Sequence, residues 1–170
     1  MRFTNQSRAF WGAAFFMLSG AALGDPLPAE RLEVQVGDAP RAALSMPEGA
    51  EICLRWNHSV TGGAVADCFA HRGGDLLLVS SYLHDYAAGL GDLPGRGTIA
   101  PAPGGGYLIT GIDEVMADRR VVLRVGSARV DQRLEAASGW ISLPALAARG
   151  ERVVLQLVVE NDGQPAEQKR

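Results

Sequence analysis

The chain has little cysteine, no surplus of positive charge, no apolar run long enough for an ordinary membrane span and no sustained helical spacing of apolar residues. Its 170 residues include two cysteines, Cys53 and Cys68, so a single bridge is the most that covalent stapling can supply. The 16 basic residues are outnumbered by 19 acidic ones, which argues against nucleic acid as a partner, because a phosphate backbone is met by a basic stripe. The uncharged stretch AFWGAAFFMLSGAALG at 9–24 stops short of the ~20 residues that a spanning helix needs. Beyond it no segment sustains apolar residues at spacings of three and four, which leaves out a helical domain. No internal repeat recurs at a fixed period.

What is present starts with export. Arg2 and Arg8 precede the uncharged stretch, and Asp25 with a proline-rich exit follows it, which is the layout of a secretory signal. Residues 1–24 are therefore expected to be removed, with Ala22 and Gly24 occupying the cleavage subsites; the alternative is a retained anchor. No cysteine stands at the cleavage point, so a lipid anchor there is not expected. Removal takes two of the 16 basic residues and none of the 19 acidic ones, leaving a net charge of about −5. An exported chain, periplasmic or secreted, enters an oxidising compartment where a cysteine pair can join. Residues 25–162 are read as one β domain, and the polar end at 163–170 as a tail that frays.

Short runs that alternate or are rich in branched residues, bounded by glycine or proline, predict strands. They fall at 31–36, 51–60, 64–72, 75–83, 106–112, 119–126, 128–135, 138–143 and 151–161. RGGD at 72–75 supplies a turn, Gly126 and Ser127 a tight connection, and 142–150 a short helical turn. Many short strands at close spacing imply an all-β fold, an antiparallel β-sandwich or a partly closed barrel. Between Leu83 and Tyr107 lies a glycine- and proline-rich span longer than the ~12–15 residues beyond which loops are usually functional or disordered. It is read as a flap facing a ligand.

The segment LRWNHSVTGGAVADCF at 54–69 admits two registers. A two-residue turn at Gly62-Gly63 suits glycine, since a type I′ turn needs positive φ at both central positions. It pairs His58 with Asp67, Trp56 with Phe69 and Val60 with Val65, holding an imidazole against a carboxylate among apolar neighbours. A Cys53–Cys68 bond requires the pairing to slide by four, because the Gly-Gly register leaves the sulfurs roughly 13 Å apart at strand rise, beyond the ~7 Å that a bridge tolerates. The glycine register is the expectation on turn chemistry, with the bridge as its rival.

Candidate ligand-binding residues are His58 and Asp67 from that pair, and Tyr86 and Arg96 from the long loop. Tyrosine offers a flat amphipathic surface, and arginine a two-pronged donor matched to carboxylate. The bland counterparts are a buried polar pair fixing strand register, a tyrosine plugging the core end and a solvated arginine. Trp140 and Tyr107 are read as core or interface aromatics. No G-x-S-x-G nucleophile elbow occurs. His58, His71, His84 and Asp85 match no familiar metal-ligand spacing, His71 and His84 are expected to be solvated near strand ends, and no cofactor motif is seen.

Five features together resemble the domain-of-unknown-function 1850 (DUF1850) family over residues 50–160: His58-Ser59-Val60, the acid Asp67, the aromatic Phe69, Tyr86 followed by AAGL, and GYLITG at 106–111. Members are small exported bacterial proteins often encoded beside TAXI-type TRAP transporters, which import organic acids. The resemblance implies a periplasmic accessory or binding domain associated with such a transporter, its partner a transporter subunit or a small carboxylate. A structural adaptor without a small ligand is the second reading and a hydrolase the third. The sequence departs from the family pattern at Asp67, where glutamate is usual, and at Ala87, which replaces the first glycine of GAGL.

Overall fold

Alternation of apolar and polar side chains builds the long strands. The computed structural model describes residues 29–85 and 97–159. Among these, eleven strands form: β1 (Arg31–Val36), β2 (Ala39–Ser45), β3 (Glu51–Asn57), β4 (Ala64–Arg72), β5 (Asp75–Leu83), β6 (Thr98–Pro101), β7 (Tyr107–Val115), β8 (Arg120–Arg124), β9 (Arg133–Ala136), β10 (Gly139–Ser142) and β11 (Arg152–Val158). They make two antiparallel sheets, ordered β2-β1-β11-β8 and β10-β9-β3-β4-β5-β7-β6. The fold is an open sandwich rather than a closed barrel.

The small sheet turns Leu32 and Val34 of β1 and Val153, Leu155 and Leu157 of β11 inward. These pack in one cluster with Ile52, Leu54, Phe69, Leu76, Leu78 and Leu134 of the large sheet. Each fully buried side chain of this size contributes roughly 1.5–3 kcal/mol, so this shared layer is the main attraction between the sheets. The intervening residues of β3 and β9, Cys53, Arg55, Arg133 and Glu135, therefore lie on the outer face. Edge strands carry the groups that discourage further pairing: Pro40 and Arg41 on β2, Pro101 ending β6, and Arg120 and Arg124 on β8.

Strands at 31–36, 64–72 and 75–83 stand where the sequence places them. Gly73 and Gly74 have φ of +61° and +82°, the pair of positive values a type I′ turn requires, and they join β4 to β5 as expected. A 3-10 turn at Leu143–Ala145 falls within the expected 142–150 segment.

Three expectations are corrected. β2 was not foreseen, because an alanine-rich edge strand with a proline lacks the apolar alternation that a half-buried strand shows. β6 lies inside the span read as a flap, and all four of its residues are exposed. The connection through Gly126 and Ser127 is not a hairpin: β8 pairs with β11 in the small sheet, β9 with β3 and β10 in the large one. Residues 125–132 thus cross between layers, and 128–132 are not strand. The segments read as a signal at 1–24, as part of a flap at 86–96 and as a tail at 163–170 lie outside the described residues.

Candidate functional site

The 54–69 hairpin adopts the register that the glycine reading disfavoured. Cys53 faces Cys68, Ile52 faces Phe69, Leu54 faces Asp67 and Trp56 faces Val65. Cys53 and Cys68 are joined in a disulfide, with 4.0 Å between their Cα atoms. The turn is a four-residue loop, closed by His58 N–H donating to Gly63 O at 2.8 Å and Gly62 N–H to His58 O at 2.9 Å. Gly62, with φ of +74°, supplies the left-handed residue that such a loop needs. Val60, expected to face Val65, is 83% exposed at the tip.

His58 and Asp67 consequently do not face one another. His58 Nδ1 accepts the Thr61 N–H at 3.3 Å and lies 3.3 Å from Thr61 Oγ1, which itself accepts the Gly63 N–H at 3.2 Å. The imidazole caps its own loop. Asp67 sits on the inner face of β4, where Ser81 Oγ donates to its Oδ1 at 2.7 Å. His58→Ala is expected to cost about 1 kcal/mol, one exposed hydrogen bond. Denaturant unfolding would measure it, and a loss of several kcal/mol would mean that the ring does more than close the loop.

The remaining sequence candidates separate as well. Tyr86 and Arg96 lie outside the described residues. His71, expected to be solvated, is 1% exposed: its Nδ1 is 2.9 Å from Met46 O, and Glu48 Oε2 is 3.3 Å from Nε2. That approach is close enough for an ion pair but is not directed as a hydrogen bond, so among the described residues Nε2 has no hydrogen-bond partner. With His71 N–H donating to Ala50 O, the residue ties the β2–β3 connection to β4. His84 is exposed, its Nδ1 3.4 Å from Tyr82 Oη. Trp140, expected in a core or interface, is 66% exposed on β10.

A cleft among the described residues lies where the outer face of the large sheet meets the crossover, and neither His58 nor Asp67 lines it. Its volume is about 200 Å³, and Arg55, Ala64, Tyr82, Asp131, Arg133 and Glu135 are among its walls. Arg55 and Arg133 are direct partners across β3 and β9, and Ala66 separates Arg55 from Tyr82 in the next two strands. Small alanines thus leave a trough between guanidinium and phenol. Like charges placed directly opposite on paired strands repel. Each is offset by an acid: Arg55 Nε lies 2.5 Å from Glu135 Oε2, and Arg133 pairs with Asp131.

The rim is pinned from behind. Asn57 N–H donates to Val130 O at 2.7 Å and Asn57 Nδ2 to Arg129 O at 3.1 Å, tying the end of β3 to the crossover. The nearly buried Gln132 accepts from Gly126 N–H at 2.7 Å and donates to Arg124 O at 3.2 Å. Asp131 and Arg133 flank that clamp, and Asp131 holds φ of +49°, a left-handed conformation that aspartate tolerates better than most residues. Arg55 and Arg133 were missed because each is an ordinary strand arginine on its own, and they stand 78 positions apart in the chain.

Among the described residues no three His, Cys, Asp or Glu side chains converge as a metal site. No curated protein and no solved structure matches this chain. The model of the family described as Domain of unknown function (DUF1850) matches residues 52–143, more than half of the sequence, and that span runs from Ile52 of β3 through β10 and holds the disulfide and the paired arginines: the chain belongs to the DUF1850 family.

Proposed function

We propose that this protein is an exported periplasmic accessory domain that works with a TRAP-type transporter and holds a small carboxylate. The observation that carries the reading is the facing pair Arg55 and Arg133 in a cleft walled by Tyr82, since guanidinium forks match carboxylate geometry. The Cys53–Cys68 bridge supports the compartment, because such bonds persist where thiols are oxidised. Membership of the family supports the link to a transporter that imports organic acids. At about 200 Å³ the cleft falls below the ~300–1,000 Å³ of drug-sized sites, which favours a small metabolite.

Calorimetry of the folded, oxidised protein against a panel of small organic acids and their uncharged amides tests this. At least one acid is expected to bind while its amide does not, and silence across the panel, amino acids included, would remove the reading. The adaptor alternative is favoured by Trp140, a large apolar side chain left exposed on an edge strand. It expects co-purification with a transporter subunit that is lost in Trp140→Ala and is indifferent to small acids.

A further inference from the structure

Resting on the carboxylate reading above, we infer that the Arg55/Arg133 cleft takes a small zwitterion, an α-amino acid, rather than a simple anion. Its charged walls are two guanidiniums and two carboxylates, so the lining is electrically balanced. A simple anion drawn between the arginines would also meet Glu135 and Asp131. A simple cation drawn to those acids would meet both arginines. A ligand carrying a carboxylate and an ammonium a bond or two apart offers each sign its complement, and leaves none of the four charges facing its like.

The existing ion pairs do not stand in the way. Side-chain exposure is 50% for Arg55 and 38% for Glu135, and 41% and 43% for Arg133 and Asp131. Pairs this exposed are typically worth ~0–1 kcal/mol, so exchanging one partner for a ligand group costs little. Each guanidinium carries five donors. Arg55 and Arg133 therefore keep capacity for a second acceptor while holding their acids.

The remaining walls set the size of the ligand. The Tyr82 hydroxyl donates to Gly105 O at 3.1 Å, so this residue adds ring surface rather than a further charge, and Ala64 adds a methyl. Together they leave a small apolar recess beside the charges, suited to a short aliphatic side chain. The crossover that carries Asp131 is fixed by Gln132 and Asn57 before any ligand arrives.

The test is calorimetry on the oxidised protein with L-alanine and L-valine, each against its analogue without the ammonium (propionate, isovalerate) and without the carboxylate (ethylamine, isobutylamine). An amino acid is expected to bind at least tenfold more tightly than either analogue. Arg55→Gln is expected to lose at least tenfold, and Arg55→Lys, which keeps the charge without the fork, to lose nearly as much. Glu135→Gln should narrow the gap between amino acid and acid by relieving the repulsion that the acid suffers. Unchanged thermal midpoints would show that these exposed positions leave the fold intact.

Equal binding of propionate and alanine would overturn the zwitterion while leaving the carboxylate reading in place. Binding unchanged in both Arg55 variants would overturn the assignment to this cleft. No heat from any compound, the organic acids included, would overturn the inference and the reading together.

Discussion

Replacing Cys53 and Cys68 together by alanine, or reducing their bond, is expected to lower the stability of the folded domain by about 3 kcal/mol, since the bridge closes a loop with a sequence separation of 15. For a domain of this size that corresponds to a fall of roughly 10 °C in the melting midpoint. Far-ultraviolet circular dichroism should remain native below the transition. The reason is that β3 and β4 are each also held by an outer neighbour: β9 pairs with β3 from Ile52 to Arg55, and β5 pairs with β4 from Val65 to Arg72. The reduced protein therefore keeps its register and melts earlier. Superimposed melting curves with and without reductant would mean that the two sulfurs are not joined.

Leu134→Ala is expected to cost about 3 kcal/mol, within the ~2–5 kcal/mol range for emptying a leucine site in a packed core. β9 has four residues and Leu134 alone among them is buried, at 0% exposure, with Leu54 and Ile141 as its neighbours across the sheet. The same strand carries Arg133 and Glu135 outward, so what anchors it also positions two of the four charges in the cleft. The loss should appear in denaturant unfolding, and amide exchange should quicken first at β9 and β10. Against a total stability of ~5–15 kcal/mol for a natural domain, this single side chain is a large share. A change below 1 kcal/mol would mean that β9 is held from its outer face instead.

Much of the architecture is legible in the sequence. β4 and β5 could be read residue for residue because glycine pairs and charged ends bracket alternating apolar runs, and the dipeptide at Gly73-Gly74 forms the expected turn. The same dipeptide at Gly62-Gly63 misled, since its neighbours accept a longer loop in which Gly62 alone takes the left-handed conformation. β2 and β6 were hidden because strands at a sheet edge bury little and leave no alternation behind. The sequence around His71 predicts a solvated residue near a strand end. Its place inside comes from the β2–β3 connection folding over it, a contact between segments 25 residues apart.

The amino-acid order by itself determined the all-β class, the inward and outward face of the main strands, and the presence of one pair of cysteines. It could not choose between the two registers of β3 and β4, because they differ by four residues. A slip by an even number returns every strand side chain to the same face, so the hydrophobic pattern fits both, and only an odd slip would have been penalised by it. The tertiary structure made that choice through the joined sulfurs and the outer partners β9 and β5. It also decided where charge gathers: Arg55 and Arg133 meet because residues 125–132 cross from one sheet to the other and deliver β9 beside β3. Such meetings depend on the order of strands in a sheet, which local periodicity does not encode.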